Sequence, residues 1–129
     1  MRLIIGGFAQ GKTEYARSTC PNAEVISFAD MVSNGKSYVD EIIIVGLNDW
    51  VREAAITGTS EDELLGKVND VVARCPEAVI ITDENGNGVI PLEKRDRDYR
   101  DIVGHIQICL AADARKVERV ICGIPRIIK

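Results

Sequence analysis

Short apolar runs alternate along this chain with stretches of helical spacing. Leu3-Ile4-Ile5 is the first run, and residues 24–27, 41–45, 78–82 and 117–123 repeat the theme of a brief strand-like run closed by a turn. Ile42-Ile43-Ile44-Val45 shows no polar alternation, as expected of a strand covered on both faces. Ser60-Glu61-Asp62-Glu63 reads as a capping box, with Ser60 at N-cap and Glu63 at N3. Behind it, Leu64, Leu65, Val68, Val71 and Val72 follow helical spacing to about Cys75. Tyr99, Ile102, Val103, Ile106 and Leu110 line one face of the longest predicted helix, residues 93–114. Shorter helices are predicted over 12–19 and 47–56. Residues 29–39 fit neither pattern, with Asn34-Gly35 marking a turn; 83–92 reads as a loop and 125–129 as a short tail. Strands alternating with helices predict an α/β fold, a mostly parallel sheet between helical layers. No linker or repeat divides residues 1–129, so one domain is expected.

Composition narrows the class. The hydrophobic fraction is 46% and the charged fraction 28%, ordinary for a globular domain, and the length allows a core without staples. A net charge of −4 with no basic run argues against nucleic-acid binding. No apolar run approaches a membrane span. Met1-Arg2 runs straight into the first strand, which predicts no cleaved leader and a cytoplasmic protein. Cys20, Cys75, Cys109 and Cys122 form no C-x-x-C pair, so they read as reduced thiols, mostly core filler, and not as a zinc site. His105 is the only histidine, which excludes any mechanism needing two.

The sharpest chemical signal is residues 6–13, Gly6-Gly7-Phe8-Ala9-Gln10-Gly11-Lys12-Thr13, which fits the phosphate-binding pattern G-x-x-x-x-G-K-[ST]. It follows an apolar run and precedes a helix-compatible stretch, the context the chemistry requires. Backbone N–H groups of such a loop form a nest for phosphate oxygens, and the positive end of the following helix points at the same place. Gly6 and Gly11 permit close approach, Lys12 reaches the β- and γ-phosphates, and the Thr13 hydroxyl can ligate Mg²⁺. Gln10 is expected to contribute mainly its backbone N–H. The expected ligand is therefore a nucleoside triphosphate, ATP or GTP, with Mg²⁺, on a three-layer fold of the P-loop NTPase type.

A second candidate element closes the apolar strand 79–82 with Asp83-Glu84. Ligands of open parallel sheets sit outside the carboxyl ends of the strands, so both carboxylates are expected in the crevice that holds Lys12. One would hold Mg²⁺, the expectation placed on Asp83, and the other, Glu84, would orient or deprotonate an attacking group. The strand at 42–45 ends in Val45-Gly46 without a carboxylate. Asp49 is expected in the first turn of the next helix, where its charge suits the dipole. Trp50 reads as core.

Several segments together resemble the adenosylcobinamide kinase/adenosylcobinamide-phosphate guanylyltransferase family. Asp83-Glu84-Asn85-Gly86-Asn87-Gly88-Val89-Ile90-Pro91 is similar to its N-E-V-G-x-G-I-V-P, and Gly6-Gly7 opens the loop as in its G-G-x-x-S-G-K-S. Leu47 and Trp50 resemble its L-T-x-W. Arg97-Asp98-Tyr99-Arg100-Asp101 with Gly104 resembles R-x-[FY]-R-D-x-x-G, and Gly123-Ile124-Pro125 with Lys129 resembles its terminal G-I-P-x-x-[IL]-K. The resemblance implies a P-loop enzyme of cobalamin assembly, commonly homo-oligomeric. Such an enzyme phosphorylates adenosylcobinamide and then transfers GMP through a guanylylated histidine. It also implies a corrinoid partner and a role for Glu84, Gly86 and Gly88 at the substrate. For the charge-rich stretch 93–101 it sets phosphate or subunit contacts of Arg97 or Arg100 beside the plain reading of a solvated helix face.

The departures from that pattern shape the expectation. The family's histidine-rich H-H-x-x-R-P segment has no counterpart between Ser27 and Glu41, and His105 does not match the nucleophile. Val45 stands where the family has an acid, and the family's N-Q is blurred into Gln107-Ile108. A shortened kinase with guanylyl transfer in doubt is the first expectation. A nucleotide-binding relative without turnover and a kinase of another small alcohol are the alternatives.

Overall fold

The computed structural model describes residues 1–84 and 93–129. The chain runs β1 (Arg2–Gly6), α1 (Lys12–Thr19), β2 (Glu24–Ser27), α2 (Phe28–Asn34), β3 (Ile42–Val45), α3 (Leu47–Ile56), α4 (Glu61–Arg74), β4 (Val79–Asp83), α5 (Lys94–Asp113), β5 (Lys116–Ile121) and β6 (Ile124–Ile127). The strands form one six-stranded sheet in the order β2-β3-β4-β1-β5-β6. All pairings are parallel except the last, where β6 turns back antiparallel on β5. This is the expected α/β architecture of the P-loop type.

The central strands are covered on both faces, whereas β6 is exposed, and the residues of the buried strands sort by parity. Leu3, Ile42, Ile44, Ile80 and Val117 pack with Phe28 and Met31 of α2, Leu47 and Val51 of α3, Leu64, Val68 and Val71 of α4, and Tyr99, Val103, Ile106 and Leu110 of α5. Ile4, Ile43, Val79, Ile81 and Val120 face the other way, toward Ala16 and Cys20 at α1. Among the described residues, α1 covers one face and the remaining helices the other. Ser60 caps α4 as expected, its hydroxyl accepting from the Glu63 N–H at 3.2 Å. Trp50 packs against Phe28 with the rings tilted by 45° and their centroids 4.8 Å apart. Cys20 and Cys75 are buried, whereas Cys109 and Cys122 are exposed, so only half of the cysteines fill core.

Three local expectations need correction. Within the ambiguous stretch, residues 28–34 are helical: the Ser27 hydroxyl accepts from the Asp30 N–H at 3.1 Å, and Gly35, at φ 64°, ends the helix in the left-handed region. The last parallel strand stops at Ile121, not at residue 123, and the supposed tail holds β6. The reversal is a two-residue turn with positive φ at both Cys122 (50°) and Gly123 (76°). Pro125 had argued for a tail, but an edge strand tolerates a residue without an N–H.

One charged residue is fully buried. Glu118, mid-β5, faces the α1 layer, accepts from Arg2 Nε at 2.8 Å and is hydrogen-bonded by the Tyr15 hydroxyl. Burial pushes its carboxyl pKa up, but the hydrogen bonds from Tyr15 and Arg2 outweigh this and hold it below the ordinary glutamate range. The group ties β1, β5 and α1 together. Removing one partner of such a pair strands the other, so Glu118→Ala is expected to cost about 3–5 kcal/mol in urea unfolding at neutral pH. A depressed folded-state pKa stabilises fully above the unfolded glutamate value and loses that stabilisation as pH falls through the folded one. The difference between wild type and Glu118→Gln should therefore shrink on acidification.

Candidate phosphate-binding and catalytic site

The parallel register of β1 on β4 sets Gly6 opposite Asp83. The glycine-rich loop therefore leaves the sheet beside the carboxylate that closes β4. Lys12, only 6% exposed although charged, reaches back over the loop. Its ammonium donates to the Gly7 carbonyl at 2.6 Å and lies 2.7 Å from Asp83 Oδ1. These are positions where phosphate oxygens would compete for the same cation. A cavity of about 300 Å³ opens here, and Lys12, Thr13, Glu14, Asn48, Asp49 and Asp83 supply its polar lining.

Both helices that open onto this cavity start from a left-handed glycine. Gly11 (φ 90°) precedes α1 and Gly46 (φ 78°) precedes α3, both left-handed and neither with a side chain to cap the first turn. By contrast, α2 and α4 are capped by Ser27 and Ser60. First-turn N–H groups left without a cap, at the positive end of a helix, suit an anion. Gly11 and Gly46 both line the cavity, so two such ends converge on it.

The loop is fixed from behind by the β5–β6 turn. The Cys122 N–H donates to Gln10 Oε1 at 2.7 Å, and the Gly123 N–H to the Gln10 carbonyl at 2.8 Å. Gln10 thus contributes a side-chain clamp, beyond the backbone role expected of it. A Cβ on Gly6 would sit 2.5 Å from the Val120 carbonyl oxygen, so β1 approaches β5 more closely there than any side chain allows.

Asp83 and Glu84 diverge. Asp83 lines the cavity. Glu84 follows it on the opposite parity and is held as a fork by Arg119 of β5, with Nε 2.6 Å from one carboxylate oxygen and Nη2 2.9 Å from the other. Its backbone extends the sheet, the Glu84 N–H donating to the Gly6 carbonyl at 2.8 Å. Gly86 and Gly88 lie outside the described residues. Asp49 is in the first turn of α3, as expected, and also lines the cavity. His105 pairs with Glu61 of α4 and is not among the residues lining the cavity.

Two further residues position the tip of β4. Asn48 is nearly buried, and its Oδ1 accepts from the Asp83 N–H and the Thr82 hydroxyl, each at 2.9 Å, while Nδ2 donates to the Asp83 carbonyl at 3.1 Å. It supplies hydrogen bonds where β3 has already ended. Gln107 donates from Nε2 to Thr82 Oγ1 at 3.0 Å and to the Asp83 carbonyl at 2.9 Å. Sequence reasoning met Gln107 only as an imperfect motif match and gave Asn48 no role. A polar residue on the buried side of an otherwise amphipathic helix was the available signal.

The donor set fits Mg²⁺ in part. The Thr13 hydroxyl and the Asp83 carboxylate are hard oxygen ligands beside one cavity. Among the described residues no cluster of three or more His, Cys, Asp or Glu could hold a metal unaided. The remaining positions would fall to phosphate oxygens and water, the arrangement Mg²⁺ favours. Among the described residues no helix is long and apolar enough to cross a membrane.

Known proteins resemble this chain in sequence. The family model for cobinamide kinase / cobinamide phosphate guanyltransferase matches residues 23–128. Over 68 residues the chain is 36% identical to the bifunctional adenosylcobalamin biosynthesis protein CobU of Escherichia coli (strain K12), a match covering 50% of this chain and 38% of that protein. Over 52 residues it is 42% identical to the protein of the same name from Salmonella typhimurium (strain LT2), covering 40% of this chain and 29% of that one. The chain thus spans well under half the length of the curated relatives it matches.

The Asn48 contacts make a direct prediction. Asn48→Ala leaves the Asp83 N–H and the Thr82 hydroxyl short of their partner, so stability should fall by about 1–3 kcal/mol in urea unfolding. Nucleotide affinity, followed with a fluorescent analogue, should weaken as Asp83 loses its support.

Proposed function

This chain belongs to the cobinamide kinase / cobinamide phosphate guanyltransferase family, and from that premise we propose that it carries the kinase activity alone. The reaction would move the γ-phosphoryl group of ATP or GTP to the hydroxyl of adenosylcobinamide. The observation that carries this reading is the buried Lys12, held 2.7 Å from Asp83 where two uncapped helix termini meet.

In this reading the loop N–H groups and Lys12 take the β- and γ-phosphates. Lys12 exchanges Asp83 for phosphate oxygens, and the freed Asp83 carboxylate joins the Thr13 hydroxyl as a ligand of Mg²⁺. Held by Thr13 and Asp83, Mg²⁺ would supply neutralisation of phosphate charge. The acceptor oxygen forms a bond to the γ-phosphorus as the bond from that phosphorus to the β,γ-bridging oxygen breaks; the nucleoside diphosphate leaves with the electron pair, and the hydroxyl proton is released to solvent. Phosphoryl transfer of this kind asks the protein mainly for position and charge. Glu84, turned to Arg119 and not among the residues lining the cavity, has no part in this reading.

Guanylyl transfer is left out of the reading. The sole histidine, His105, is engaged by Glu61 and does not line the cavity. A second reading, a nucleotide-binding relative without turnover, rests on Val45, which gives the tip of β3 no carboxylate.

The test is mass spectrometry of adenosylcobinamide incubated with the purified protein, Mg²⁺ and either nucleotide. The expected product is heavier by one phosphate and not by a GMP unit. Lys12→Ala should lower kcat/KM by about 100-fold or more, the scale for loss of one preorganised electrostatic group, and His105→Ala should leave it unchanged. Nucleotide binding with no phosphorylated corrinoid would favour the second reading.

A further inference from the structure

Phe8 stands out within the phosphate loop because its ring is 86% exposed. The loop does not need it for its own shape. Its fixed points are Gln10 on the β5–β6 turn, Lys12 on the Gly7 carbonyl, and left-handed backbone at Ala9 (φ 56°) and Gly11. The phosphate-binding pattern places no demand on this position beyond its backbone. Yet the ring lines the same cavity as Lys12 and Thr13, and Val45 and Ile81, from the tips of β3 and β4, line it as well.

The cavity is therefore two-natured. Lys12, Thr13, Glu14, Asn48, Asp49 and Asp83 make a polar part, and Phe8, Val45 and Ile81, with Ala9, make an apolar part that suits neither phosphate nor metal. In-line transfer puts the attacking and leaving oxygens on opposite sides of the γ-phosphorus. The nucleoside leaves on one side, and the acceptor body arrives on the other, close to the carboxylate end. The apolar residues share that end with Asp83, on the β3–α3 side of the loop. The opposite flank is closed by the clamp of Gln10 on Cys122 and Gly123.

We propose that Phe8, with Val45 and Ile81, seats the body of the acceptor, and that Phe8 sets the preference for an alcohol carried on an apolar framework. This rests on the phosphotransferase reading and adds to it a specificity residue. The ring contacts the acceptor and takes no part in phosphate binding.

The test measures two affinities on the full chain. Cobinamide binding is followed by equilibrium dialysis through the visible absorbance of the corrin, in the presence of a non-hydrolysable nucleotide; nucleotide binding is followed by fluorescence. Phe8→Ala should weaken cobinamide binding by about tenfold, the usual scale for apolar truncation in a pocket, and Phe8→Leu should restore part of it. Nucleotide affinity should not change in either variant. Weakened nucleotide binding with unchanged cobinamide binding would assign the ring to the base and overturn the proposal. Cobinamide binding indifferent to Phe8 removes this inference alone, whereas wild-type protein that binds nucleotide but no cobinamide removes the kinase reading with it.

Discussion

Lys12 and Asp83 belong to different strand–helix units, and their 2.7 Å contact exists because β1 is inserted between β4 and β5 with Gly6 in register with Asp83. Everything else at the site is arranged around that adjacency. Gly6 lets β1 lie against the Val120 carbonyl, the turn after β5 then reaches Gln10, and the loop is held from behind while its inner surface stays open. Asn48 and Gln107 take over the hydrogen bonds of β4 where β3 no longer runs alongside, so the Asp83 carboxylate leaves the sheet from a fixed point. Without this support the tip of β4 would have unsatisfied backbone at the edge of the cavity, a cost that favours disorder there.

The treatment of helix starts follows from the same constraint. A helix start needs partners for its first N–H groups, and serine provides them for α2 and α4. Where the cavity lies, glycine replaces serine before α1 and α3, and the N–H groups are left for a ligand. Asp83 against Lys12 and Asp49 in the first turn of α3 balance part of this positive potential. Away from the cavity, Glu118 with Arg2 and Tyr15 cross-links β1, β5 and α1, the elements on either side of the loop.

Much of the fold was legible. The strand runs are apolar on both parities because each face of the sheet is covered, and Leu64, Val68 and Val71 recur because one stripe of α4 is buried. The glycine-rich loop at residues 6–13 was legible for a different reason: its pattern is local, set by residues a few positions apart. The β6 hairpin was not, since Cys122-Gly123 is a weaker turn signal than Asn-Gly and Pro125 argues against a strand until the strand is known to be an edge. The buried Glu118 was also hidden, because its partners come from β1 and α1, far away in sequence.

The sequence by itself determined the alternation of strands and helices, the loop at residues 6–13 with its lysine and threonine, and the carboxylates at the end of the fourth strand. These are local properties, set by periodicity and by residues a few positions apart. Only the tertiary structure decided which carboxylate serves the cavity. Strand parity turns Asp83 toward Lys12 and Glu84 toward Arg119, and the partner on each side is supplied by a different strand. It also decided that Asn48 and Gln107, unremarkable along their helices, brace the site. Only once α3 and α5 pack over the end of β4 do their side chains meet backbone groups that nothing else can satisfy.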